Sequence, residues 1–133
     1  MKISELLDDI KFQDLVLPEF QREYVWNKED AKQLMVSLFK DYPTGSLLFW
    51  KTDNPPELKN LNISNDKLGL TKVILDGQQR LTTLYLLMRD GLPPYYREED
   101  IAANPKNLYF NLKTAEFQYY MHILWQKIHF GFL

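Results

Sequence analysis

The sequence predicts an α+β domain with a small mixed sheet and flanking helices, and three observations lead to that class. Helical and strand periods alternate along the chain in the order α-β-α-β-β-α-β-β, which ends in a hairpin and does not repeat as βαβ units. The centre of the chain, Lys72 to Gly91, changes period at one point, from a short apolar β-branched run to a 3.6-residue stripe. The chain has 133 residues, 45% of them hydrophobic and 26% charged, enough for one small domain with its own core.

Each element can be read in turn. Apolar residues at 3, 6, 7 and 10, with Ser4 at the start, give a short amphipathic helix over Ile3 to Ile10. Phe12 to Leu17 reads as a strand closed by Pro18. Leu17 to Trp26 (LPEFQREYVW) has neither period and reads as an extended, partly buried loop, because proline disfavours helix in the residue before it. Asn27 as N-cap, Asp30 at N3, and apolar residues at 31, 34, 35, 38 and 39 give a core-facing helix over Asn27 to Lys40. Tyr42 to Gly45 is a turn and Ser46 to Trp50 a second buried strand. Asp53 to Lys67, rich in Asn, Pro, Asp and Lys, is a solvated loop. Val73 to Leu75 is a buried strand. Leu81, Leu84, Tyr85 and Met88 form one helical face, ended by Gly91. Leu108 to Asn111 and Glu116 to Tyr120 pair as a hairpin turning near Lys113 and Thr114.

Composition excludes several functions. A net charge of −2 rules out a broadly basic nucleic-acid scaffold, so any such contact must be local. Without cysteine there are no disulfides and no thiolate metal sites. No apolar window reaches transmembrane length and the acidic N-terminus is no signal peptide, which makes the cytoplasm the default compartment. The Walker, dinucleotide, nucleophile-elbow and H-E-x-x-H motifs are missing. His122 and His129 lie seven apart on an apolar segment and read as a packed or exposed helix face in preference to a metal site. Tyr24 and Trp26 could each stack on a base, but core packing is the stronger reading.

The candidate site is the strand-to-helix turn Asp76-Gly77-Gln78-Gln79-Arg80. A helix N-terminus offers unpaired N–H groups and the positive end of the macrodipole. Gly77 lets the chain turn and lets an anion approach, and Arg80 can fork onto phosphate or carboxylate oxygens. Gln78 and Gln79 can orient a water. Asp76 either holds a cation such as Mg²⁺ or caps the helix; the plain alternative is an ordinary N-terminus with solvated glutamines. Arg22, between Phe20, Tyr24 and Trp26, needs an anionic partner if buried: a ligand phosphate, or a carboxylate such as Asp76 or Glu19. If Gln21-Arg22 and Gln79-Arg80 face each other, they make a phosphate clamp.

Three stretches together, Leu17-Pro18-x-Phe20-Gln21-Arg22-x-Tyr24-Val25-Trp26, Tyr42-Pro43-Thr44-Gly45-Ser46, and Ile74-Leu75-Asp76-Gly77-Gln78-Gln79-Arg80-Leu81-Thr82-Thr83, resemble the N-terminal domain of GmrSD-type restriction and phage-defence proteins. The resemblance covers roughly residues 1 to 120. It implies a ParB/sulfiredoxin-like fold in which the turn at Gly77–Arg80 receives nucleotide phosphates. It further implies binding and hydrolysis of a nucleoside triphosphate, commonly GTP or ATP, with Mg²⁺. On this reading Gln21, Arg22, Thr44, Gly45, Gly77, Arg80 and Thr83 bind nucleotide. Asp76, Gln78 and Gln79 are catalytic, with Asp76 also the metal ligand. Full-length members carry a C-terminal HNH-type nuclease domain that cuts modified phage DNA. No such nuclease motif occurs in these 133 residues, so contact with DNA would come through a longer protein or a partner. The rival functions are a DNA-binding sensor module without NTP turnover and a structural or oligomerisation remnant. Residues 121–133 are strongly apolar and read as the start of a truncated helical region or as a surface for homo-oligomerisation.

Overall fold

The computed structural model describes residues 2–60, 71–89 and 91–119, and it is an α+β domain. Its elements are α1 (Ile3–Lys11), β1 (Leu15–Val16), α2 (Lys28–Phe39), β2 (Leu48–Thr52), β3 (Thr71–Asp76), α3 (Gln78–Met88), a 3₁₀ turn (Glu98–Asp100), β4 (Leu108–Asn111) and β5 (Glu116–Tyr119). The sheet order is β1-β3-β2, with β1 parallel and β2 antiparallel to the central β3. β4 and β5 form a separate antiparallel hairpin. Residues 121–133, with the oligomer surface predicted there, lie outside the described residues, as does the part of the predicted loop beyond Asn60.

α3 packs against both α1 and α2 and is the core of the domain. The sequence pattern gives it one apolar face starting at Leu81. Instead the helix begins at Gln78, and Leu81 through Leu86 are all buried. Two threonines make this tolerable: Thr82 shares a 2.8 Å hydrogen bond with the Tyr95 hydroxyl, and Thr83 donates 2.8 Å to the Gln79 carbonyl. Each buried hydroxyl therefore has a partner, which is what burial demands. Met88, expected on the packed face, is exposed.

Two strands differ from expectation. The strand predicted over Phe12–Leu17 shrinks to Leu15–Val16, because Gln13 takes a left-handed backbone (φ 63°) and Asp14 N–H closes onto the Asp9 carbonyl at 2.8 Å. The second strand runs over Leu48–Thr52 and is an edge, not a buried strand; Leu48 is 55% and Trp50 44% exposed. α2 forms as the capping pattern predicts: Asn27 Oδ1 accepts from Asp30 N–H at 2.8 Å and Asp30 Oδ2 from Asn27 N–H at 3.1 Å. The hairpin seats on α2 through Phe39, whose ring centroid lies 5.0 Å from Phe110 and 6.1 Å from Phe117. Tyr119 adds a hydroxyl bond to the Lys28 carbonyl.

The buried phenols make the fold sensitive to alkali. Burial pushes the pKa values of Tyr24, Tyr95 and Tyr96 above the ordinary 10, and for Tyr95 the Thr82 bond opposes the shift only in part. A pKa raised in the folded state means that the neutral phenol is favoured there. The stability it contributes is present in full below pH 10 and is lost as pH rises through the raised values. The urea midpoint should therefore fall above about pH 10, and Tyr95→Phe should flatten that fall; a midpoint independent of pH in this window would contradict it.

Candidate nucleotide-phosphate site

The Asp76–Arg80 turn joins the central strand to the buried helix. Gly77 is the N-cap of α3, with φ 96° and ψ 10°. Only glycine adopts this conformation without strain, and a Cβ here would stand 2.3 Å from Leu47 Cδ2. Gly77 supplies no side chain to cap the first-turn amides. Asp76 does not cap the helix either; its side chain is exposed.

Arg80, one turn in, reaches across to the α2–β2 connection. Its Nη1 donates to the Thr44 carbonyl and its Nη2 to the Ser46 carbonyl at 2.6 Å. Gly45, between those carbonyls, has φ 90°, and a Cβ there would overlap Nη1 at 2.0 Å. A Cβ on Gly77 would come within 3.2 Å of Nη2. The guanidinium thus lies in a seat cleared by two positive-φ glycines. Thr44, Gly45, Gly77 and Arg80 form one cluster.

Two of the glutamines are bonded to the main chain. Gln79 is buried; its Oε1 accepts from Val25 N–H (2.9 Å) and Trp26 N–H (3.2 Å), and its Nε2 donates to the Glu23 carbonyl (2.9 Å). Gln21 Nε2 donates to the Leu75 carbonyl at 2.9 Å, and the Tyr24 hydroxyl shares a 2.7 Å bond with Thr83 Oγ1. Together these bonds stitch the 17–26 segment to the turn. Single main-chain bridges hold its other flanks, Pro18 to Leu58 and Tyr24 to Ile101. Gln78 is buried as well.

The Arg22 side chain takes no part in this stitching. The residue is exposed, next to a Phe20 that is 72% exposed, while its carbonyl accepts the Tyr96 hydroxyl at 2.7 Å. Burial of Arg22 was the premise for requiring an anionic partner, and that premise does not hold. Of the three aromatics around it, only Tyr24 enters the core and Trp26 is half-buried.

Beside Arg80 opens a groove of about 460 Å³, walled by Trp26, Asp30, Gln33, Ser37 and Thr44. It is shallow and broadly open to solvent. Asp30, Gln33 and Ser37 form a polar stripe on α2 at i, i+3 and i+7, one step round from the apolar stripe. That periodicity is the signal that would have flagged this wall in the sequence. Arg22 is not among its lining residues. Among the described residues no three His, Cys, Asp or Glu side chains gather as a metal site, so Asp76 belongs to no such group.

Residues 3–129 match the family model described as the GmrSD restriction endonuclease, N-terminal domain. The chain belongs to this family. An uncharacterized protein of Methanocaldococcus jannaschii is 35% identical over 81 residues, which is 54% of this chain and 14% of that protein. The chain therefore spans a small part of the curated relative it matches. No solved structure matches it. In this GmrSD N-terminal domain no helix among the described residues is long and apolar enough to cross a membrane.

Proposed function

We propose that this domain binds a nucleoside triphosphate at the Asp76–Arg80 turn and hydrolyses it, as the regulatory module of a modification-dependent restriction or phage-defence protein. On this reading the frame is ParB/sulfiredoxin-like. The observation that carries the reading is Arg80, half-exposed and lining the groove, one turn from a glycine-capped helix start. The cation end of Arg80 and the first-turn amides of α3 both favour phosphate oxygens. Trp26 on the groove wall offers a stacking face for a base.

Catalysis of this kind is mostly positioning and charge neutralisation. Arg80 takes phosphate oxygens, with Thr44, Gly45 and Gly77 shaping the approach. Gln79 is spent on the backbone of residues 23–26, so it acts as a positioning residue, and orienting the water falls to Gln78. Asp76 fits Mg²⁺ only with phosphates completing its shell, which is how that ion is usually held. Bound Mg²⁺ would offset charge on the phosphates. Gln21 and Thr83 contribute through the stitching, and Arg22 reaches ligand only from outside the groove.

Arg80→Ala should weaken nucleotide binding by about 1.5–3 kcal/mol, the range for hydrogen bonds to charged groups. Calorimetry with GTP, ATP and CTP, alongside phosphate release with and without Mg²⁺, checks this. Equal affinity in a variant with an unchanged circular-dichroism spectrum would sink the reading.

A second reading rests on the exposed Phe20 and Arg22, held on a stitched segment. An aromatic ring and a guanidinium displayed together suit a nucleic-acid strand. DNA affinity that falls steeply with salt, with no triphosphate turnover, would favour a DNA-sensing module instead.

A further inference from the structure

We infer that Arg80 is an internal latch: its guanidinium holds the 44–46 turn in place of the ligand, and an entering phosphate group takes the guanidinium over and releases that turn. The inference rests on the nucleotide reading above and adds how binding would be transmitted.

Both terminal nitrogens of Arg80 are committed to the turn, Nη1 to the Thr44 carbonyl and Nη2 to the Ser46 carbonyl. These acceptors are neutral. A phosphate oxygen is a charged acceptor, and hydrogen bonds in which the acceptor is ionised are about twice as strong as neutral ones. An anion that takes the two N–H groups now bonded to the turn displaces the Thr44 and Ser46 carbonyls from them. A Cβ on Gly45 would meet Nη1 and one on Gly77 would approach Nη2, and the same arginine lines the groove.

The turn so released is not a free loop. It runs from the end of α2 straight into β2, the exposed edge strand, and Leu47 on it packs over Gly77. Moving the Thr44 and Ser46 carbonyls off the guanidinium therefore changes the start of β2, where the register with β3 already shifts between Leu48 and Phe49. Occupancy at the helix start becomes a change at a sheet edge. A single side chain thus has two alternative sets of acceptors, which is what a two-state element needs.

The latch also taxes binding, since part of the ligand's affinity is spent on opening it. Gly45→Ala is the informative variant. Its Cβ would overlap Nη1 and so drive the guanidinium out of the seat while leaving the arginine in the protein.

Backbone amide exchange of the whole chain, followed at Gly45, Ser46 and Leu47, tests this with GTP·Mg²⁺ and with inorganic triphosphate as probes. In the free protein, Arg80→Ala should raise exchange at these amides severalfold. In the wild type, saturating probe should raise it similarly, and should add nothing in Arg80→Ala. Gly45→Ala should show the raised exchange without probe and should bind triphosphate severalfold more tightly than wild type. Should Gly45→Ala fail to fold, the wild-type and Arg80→Ala arms decide the matter alone. Binding with turn exchange unchanged or lowered overturns the latch and leaves the nucleotide reading standing. Unchanged exchange in free Arg80→Ala also overturns it. If neither probe binds at millimolar concentration, the nucleotide reading fails and the latch falls with it.

Discussion

Replacing Gln79 with alanine is expected to destabilise the domain by about 2–4 kcal/mol and to free the segment from Glu23 to Trp26. The side chain meets three main-chain groups, the Val25 and Trp26 N–H donors and the Glu23 carbonyl. Alanine leaves all three without their partner. An abandoned buried polar group costs about 1–3 kcal/mol, and solvent access at exposed Val25 keeps the sum below three full penalties. Against a typical domain stability of about 5–15 kcal/mol this is a large fraction. Urea unfolding measures the loss, and limited proteolysis with mass mapping should find new cleavage within 19–26. A midpoint within experimental scatter of wild type would mean that these bonds are dispensable and that Gln79 is free to serve chemistry after all.

The second large effect belongs to Gly77→Ala, at about 2–5 kcal/mol. Two costs add: an L-residue forced into a left-handed conformation loses about 1–2 kcal/mol, and overpacking a filled site loses about 1–3. The overpacking arises because the new methyl would sit 2.3 Å from Leu47 Cδ2. Gly91 provides an internal comparison. It has φ 103°, but a Cβ there meets nothing within 4 Å, so Gly91→Ala should cost only the conformational part. Equal losses at both positions would show that the Leu47 contact is soft and that the turn has room to spare.

Much of this was legible in the sequence, and the reasons are local. α2 carries its own cap, Asn27 with Asp30, and an apolar stripe, so its limits read off within a residue. β3 and the β4–β5 hairpin are equally self-declared. β2 misleads because Leu47 through Trp50 are residues of a buried strand, whereas burial depends on how many strands flank it, and among the described residues β2 has a neighbour on one side only. The α1–β1 boundary turns on one left-handed glutamine, Gln13, a residue with no special preference for that conformation. In the candidate site, the turn itself is legible from the change of period at Asp76–Arg80, and Thr44 and Gly45 join it through the family resemblance alone. The division of labour is not legible: whether a glutamine orients water or stitches a loop depends on partners more than fifty residues away. No local pattern records such partners.

Those partners have a consequence for how the domain is built in time. Gln21 to Leu75, Val25 to Gln79 and Tyr24 to Thr83 join residues 54, 54 and 59 apart in the chain. Closing loops of that length costs entropy before any bond returns it, and contacts of long sequence separation slow folding. α2 and α3, with their contacts within a turn or two, can form early. The stitched segment has nothing to hold it until β3 and α3 are in place, so it docks on the far side of the folding barrier. In kinetic terms, Gln79→Ala should mainly speed unfolding and leave the folding rate nearly untouched, a φ-value near zero; a folding rate slowed in proportion to the lost stability would place the stitch in the nucleus instead. Ordering of the stitched segment is then the final event in making the native chain, and its loss the opening event in unmaking it.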